Sequence, residues 1–376
     1  MEYRTLCESH LPNVVLQMSQ QYKILVSGTA PVLYPVDTFF GLLWFGKDEA
    51  LEVPKKYPFQ GEWGQPISIH IMEREYYPVP GMLDLVWLSI VERKFYSLVK
   101  MLSTERLEEL FSQQDDESGE PQFEHIVVGM APYGGVALWV NGIKKSVLVD
   151  WLKAEETQVD MKDFMPLNPN VTLDENCDFY INNDDAVREN LDVNGLPARD
   201  LFDRYMQQFC YRYLVMFERW DEDEDRWVKP ELDEEGQPVD GKPLPEFDFI
   251  EEALWDGTHD KLHDGGLMSY HQAGKPKKLA IVWHIKKSQY SAYLWFEDEA
   301  IRAAFEKFYG AHRDTKVDFI IRIDPEKNKY EFALYRYGLQ EPVVIGEDAY
   351  QMIVFKSKFE YYRSENYDQP RGAWIW

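Results

Sequence analysis

A chain of 376 residues, 45% hydrophobic and 15% aromatic, holds enough apolar material for two cores and is far too rich in rings for a disordered polymer. Its net charge of −26 excludes the phosphate-neutralising surface of a nucleic-acid binder and disfavours anionic membranes. No run approaches the roughly 18 apolar residues that span a bilayer; the start MEYRTLCESHLPNVV lacks a signal-type apolar stretch, and three dispersed cysteines (Cys7, Cys177, Cys210) suit reduced thiols, so a soluble cytoplasmic protein is expected.

From Tyr22 to Val149 short β-branched and aromatic runs alternate with Gly and Pro: YKILVSG, FFGLLWFG, PISIHIM, LDLVWLSIVERKFYSLVKM, HIVVGM, GVALWVNG and KSVLVDW. They predict strands. STERLEELFSQ reads as a helix capped by Ser103 with Leu102, Leu107, Leu110 and Phe111 on one face, followed by the solvated loop QQDDESGEPQ. GMAPYGGV predicts a turn between strands that needs positive φ; it lacks the GK[ST] of a phosphate loop. Residues 155–195 read as polar and irregular. LPARDLFDRYMQQF predicts a helix entered at Pro197, and CYRYLVMFERW a strand.

The acidic segment 221–247 reads as an exposed loop or long hairpin and as the boundary between a domain over 1–220 and a smaller one over 248–376. Beyond it KKLAIVWHIKK and YSAYLWF predict strands, DEAIRAAFEKFYG a helix, and KVDFIIRID with KYEFALYRYG a hairpin around PEKN. EDAYQMIVFKSKFEYYR predicts a helix, its aromatics also permitting a strand; the tail QPRGAWIW is expected to dock as an edge strand or plug. No internal repeat is visible. The expected fold class is α+β, with mostly antiparallel strands and a few flanking helices in two sheet-based parts.

Two segments invite a chemical reading. WDGTHDKLHDGGLMSYH gathers Asp256, His259, Asp260, His263, Asp264 and His271. On a helix, His259 and His263 would share a face, and with Asp256 could ligate a metal that activates water, as in a hydrolase. The favoured alternative is structural: Asp256 or Thr258 caps a short helix that Gly265 and Gly266 end. The second segment, 218–252, carries 15 acids against 4 bases. Its core, Trp220, Asp221, Glu222, Asp223, Glu224, Asp225 and Trp227, pairs steering charge with aromatic anchors, as a surface that binds a basic protein would. No GxSxG elbow or other complete catalytic set stands in the chain, so neither catalysis nor a cofactor is expected.

VWLSIVERKFY (86–96), HIVVGMAPYGGVALWVNG (125–142) and YRYLVMFERW (211–220) resemble an uncharacterised bacterial domain family of unknown function, over roughly residues 20–220. The likeness lies in W-x-S-x-x-E-x-K-F-Y followed by G-x-A-P-x-G-G, and brings no catalytic motif with it. Members of that family often sit near type VI secretion or polymorphic-toxin genes and look like immunity proteins. The resemblance therefore implies an immunity protein that neutralises a cognate toxin effector, one possibility being a nuclease. A metal-dependent hydrolase and a non-catalytic scaffold or adaptor are the alternatives.

Overall fold

A computed structural model describes residues 20–363 apart from 47, 56–57, 68–75, 116–117, 264–267, 311–314, 337–340 and 357–359. The expected strand PISIHIM and the tail QPRGAWIW fall wholly or largely outside these residues, as do Cys7 and Asp264 to Gly266. The fold is α+β and mostly antiparallel, as the strand runs predict. The chain divides into compact units after Arg204. Strand 209–217, grouped by sequence with the first part, is hydrogen-bonded in the second unit's sheet.

The first unit opens with β1 (Tyr22–Lys23), β2 (Leu25–Thr29), β3 (Val36–Trp44), β4 (Ala50–Glu52) and β5 (Tyr76–Tyr77). β6 (Met82–Ser89), β7 (Lys94–Met101), α1 (Thr104–Phe111), β8 (His125–Ala131), β9 (Gly135–Asn141), β10 (Ser146–Lys153) and β11 (Glu155–Thr157) follow. One sheet runs β10-β9-β8-β2, with β2 parallel to β8, and another β11-β7-β6-β3-β4, antiparallel throughout. Alternate residues of the two sheets, such as Ile126, Val128, Leu138, Leu43, Leu85 and Trp87, share one buried core. Ser103 caps α1 as expected, accepting from the Arg106 amide, and Leu107, Leu110 and Phe111 face inward.

Residues 155–195 are not irregular. α2 (Met161–Phe164), α3 (Leu173–Asn183) and α4 (Asp185–Asn194) lie there. Thr172 and Glu175 form a reciprocal capping box on α3, and Cys177 is buried with Leu88, Ile90 and Phe95 on the outer face of the antiparallel sheet. The weak apolar face hid these helices: only Asn176 and Cys177 of α3 are buried. The helix predicted from Leu196 narrows to α5 (Leu201–Tyr205).

The second unit contains β12 (Phe209–Phe217), β13 (Arg219–Asp221), β14 (Arg226–Val228), β15 (Glu246–Leu254), β16 (His259–His263), β17 (His271–Ala273), β18 (Pro276–Ile285) and β19 (Ser288–Phe296). α6 (Asp298–Tyr309), β20 (Val317–Asp324), β21 (Lys329–Tyr335), β22 (Val343–Ile345), β23 (Tyr350–Lys356) and β24 (Glu360–Arg363) complete it. Its sheets run β17-β12-β20-β21-β22 and β16-β15-β18-β19-β23-β24. The helix predicted over 347–363 is instead the strand pair β23–β24, because β23 buries Met352 and Val354 against the core while pairing with β19.

Candidate functional site

The acidic segment folds into a short hairpin. β13 and β14 pair Trp220 with Trp227 across the strands, their rings edge to face at 5.4 Å. Asp221 accepts from the amides of Asp223 (3.0 Å) and Glu224 (3.3 Å), so the first acid of the run shapes the turn that carries the others. Asp225 adopts positive φ (50°) to close it. Glu222, Asp223, Glu224 and Asp225 are exposed, while Asp221, Trp220 and Trp227 are half-buried.

Three ties hold this hairpin to the β20–β21 hairpin. The Trp220 amide donates to Asp324 (2.8 Å), the Trp227 indole to Glu331 (3.1 Å), and the Lys327 ammonium to the Trp220 carbonyl (2.8 Å). Lys329 stands 4.9 Å from the Trp220 ring centroid. Glu222 pairs with Lys327 at 3.0 Å and Glu224 with Arg226, so part of the negative charge is compensated within the unit. The rest of the arm is folded too: Asp233 accepts from the amides of Glu235 and Gln237, Arg219 pairs with Asp240, and Lys242 with Glu326 at 2.5 Å. Both predicted tryptophans and all five acids thus lie on one anchored projection.

The part of the histidine window from His259 to His263 is a strand, not a helix. His259 and His263 bracket β16 opposite Ala253 and Phe249. Four residues along a strand separate Cα atoms by about 13 Å, too far for two imidazoles standing parallel on one face to share an ion. Asp256 sits in the preceding turn, buried, accepting from the Thr258 amide (2.9 Å) and hydroxyl (2.6 Å) and from Gln208 (2.6 Å). Burial raises its pKa, and burial lowers that of the nearby Lys275 to about 8. Among the described residues no cluster of three His, Cys, Asp or Glu side chains is placed to hold a metal ion.

The sequence reading missed a buried polar network in the same unit. Glu252, 3% exposed, accepts from the Tyr213 hydroxyl at 2.6 Å. The His271 Nε2 lies 3.8 Å from the other Glu252 oxygen, an ion-pair separation, and its Nδ1 is 3.1 Å from the Ser269 carbonyl. Burial pulls the His271 pKa down, but Glu252 and the carbonyl more than offset it, leaving it raised. The signal was available: Ile250, Glu252 and Leu254 occupy alternate, inward positions of one strand.

In the first unit the segments quoted for the family resemblance converge on one carboxylate. Glu92 accepts from the Ser89 hydroxyl (2.8 Å), the Tyr96 hydroxyl (2.8 Å) and the Tyr133 amide (2.9 Å). It thereby ties the β6–β7 turn to the Pro132–Gly134 turn, where Tyr133 and Gly134 have positive φ, as GMAPYGGV predicts. A Cβ on Gly134 would fall 2.6 Å from the Ala154 carbonyl oxygen, and one on Gly129 2.4 Å from the Trp139 ring. These motif residues hold turns and pack rings.

The molecule is thus two turn-locked β-sandwich units, each with its own packed core, the second bearing an acidic projection. Residues 10–198 match the family described as a protein of unknown function (DUF2931), and the chain belongs to that family. No curated protein and no solved structure matches the chain.

Proposed function

We propose that this chain is a non-catalytic binding protein that docks a basic protein partner on the projection formed by Trp220, Asp221, Glu222, Asp223, Glu224, Asp225 and Trp227. The observation that carries this reading is the anchoring of that hairpin. Its two tryptophans are paired and tied to Asp324, Lys327 and Glu331, so its exposed acids are presented on a preorganised element. Exposed carboxylates steer a cationic partner and accelerate encounter, while half-buried rings supply the contact that slows escape.

The particular form of this reading is an immunity protein that neutralises a cognate toxin effector in the cytoplasm by covering its active site. An acidic surface suits a toxin whose cleft binds phosphate, which makes a nuclease the leading effector class. Support comes from the net charge of −26 and from the run of exposed acids that the hairpin presents. Co-expression with the product of the adjacent gene tests it. A stable complex, and protection from that product's toxicity, are expected. Neither complex nor protection would remove the proposal.

A further inference from the structure

The two units have the same connectivity. In the first, β10-β9-β8-β2 and β11-β7-β6-β3-β4 make the two sheets; in the second, β22-β21-β20-β12 and β23-β19-β18-β15-β16 take those places in the same chain order. β2 is parallel to β8 and β12 to β20, and every other neighbouring pair in these sheets is antiparallel. α1 follows β7, and α6 follows β19. β17 and β24 extend the second unit's sheets at their edges.

Sandwich physics alone accounts for two packed sheets, but not for details that coincide residue by residue. Trp87 faces Tyr96 across β6–β7 and Trp283 faces Tyr290 across β18–β19; both ring pairs lie at 5.5 Å and both tryptophans are wholly buried. Opposite Trp87 stands Thr38, then the bulged Phe39, then Phe40 opposite Val86. Opposite Trp283 stands Phe247, then the bulged Asp248, then Phe249 opposite Val282. A bulge can sit anywhere along a strand, and its place is a family property. The next hairpins match in length, closing Trp44 on Ala50 and Ala253 on His259.

The sequences agree where the topology does. Tyr96–Phe111 aligns without a gap on Tyr290–Phe305, matching Ser97 with Ser291, Glu105 with Glu299, and the buried Leu107, Leu110 and Phe111 with the buried Ile301, Ala304 and Phe305. YKILV (22–26) aligns with YRYLV (211–215). We infer that residues 205–376 are a second, diverged copy of the domain that the family match marks in the first unit, and that the acidic arm 218–245 is an insertion carried by this copy alone. In the first copy residues 30–35 make the same connection, from β2 to β3. The binding role of the arm rests on the function proposed above; the duplication does not. The histidine strand β16 is then the counterpart of β4, which has no histidine.

The test is a full-length variant in which residues 218–245 are replaced by Ala30–Pro35, alongside the unaltered chain. Crystal structures of both are expected to keep β12-β20 parallel, the bulge at Asp248 and the Trp283–Tyr290 pair, with the second unit's strands superposing on the first's in order. A different strand order or bulge position in the unaltered chain overturns the duplication, whether or not the variant folds. A folded variant that no longer associates with the adjacent gene's product supports the arm as the gained binding element. A folded variant that binds that product as before overturns that role and leaves the duplication standing.

Discussion

The β8–β9 turn of the first unit and the β20–β21 turn of the second occupy one place in a shared topology but are sealed by different carboxylates. In the first, Glu92 arrives from the neighbouring β6–β7 turn and takes the Tyr133 amide, fastening two turns to each other. In the second, Asp324 belongs to the turn itself, accepting from the amides of Glu326 (3.0 Å) and Lys327 (3.2 Å), and its other oxygen takes the Trp220 amide of the arm. A tight turn with a positive-φ residue needs its amides satisfied, and either route does so. A local carboxylate leaves the turn able to carry an appended element; a long-range one commits it to the domain's own end.

The largest expected effect tests how alike the two units are. Trp87→Ala and Trp283→Ala each empty a fully buried site facing a tyrosine, and each should cost about 3–5 kcal/mol. Denaturant unfolding measures the loss, and hydrogen exchange locates it: β3, β6 and β7 for the first variant, β15, β18 and β19 for the second. A cost confined to one unit would break the comparison.

Asp37 should set the units apart in pH. Burial raises its pKa from 3.8 to about 6. The unfolded chain releases this proton near 3.8 and the folded chain only near 6, so stability falls as pH rises through that window. Asp37→Asn should abolish the fall and stabilise the protein above pH 6 by up to about 3 kcal/mol. The second unit has the exposed Glu246 at the matching position. Chemical denaturation of the wild type and Asp37→Asn across pH 4–8 reads the effect, and a pH profile that Asp37→Asn leaves unaltered would remove it.

Smaller effects separate the two turn seals. Glu92→Gln and Asp324→Asn should each cost about 1–3 kcal/mol, because backbone amides lose a charged acceptor. The first should raise exchange in residues 129–135, the second in 218–228 as well as its own turn. Equal exchange in the arm for both variants would show that Asp324 does not hold it. The smallest effect on the fold is expected from neutralising Glu222, Asp223, Glu224 and Asp225 to Asn or Gln, with Asp221 kept because it holds the turn amides: within about 0.5 kcal/mol, since all four are exposed. Association with a basic partner should slow and lose its salt dependence, because exposed charges act over a Debye length of about 8 Å. Stopped-flow rates unchanged at low salt would reduce the run to solubilising surface.

Much of this architecture was legible because period-2 patterns with Trp, Tyr and β-branched residues are local signals. HIVVGM, GVALWVNG and KVDFIIRID are strands, and Ser103 and the acids of DEAIRAAF mark helix starts at their expected places. Less legible was any element whose identity depends on a partner. QMIVFK has apolar residues that suit either a helix or a strand, and pairing with β19 decides for the strand. Thr172 and Glu175 did signal the start of α3, but its faint apolar face concealed the helix behind it.

By itself the sequence determined the α+β class, the acidic projection, the positive-φ turn in GMAPYGGV and the family motif, all properties of residues close together along the chain. Tertiary structure alone decided that His259 and His263 lie along a strand, that Glu252 is buried with Tyr213 and His271, and that Glu92 joins two turns. The common plan of the two units also became visible only there. Residue identities drift while packing tolerates any apolar side chain of suitable size, so strand order, a bulge and one Trp–Tyr pair outlast the sequence similarity that would have announced them.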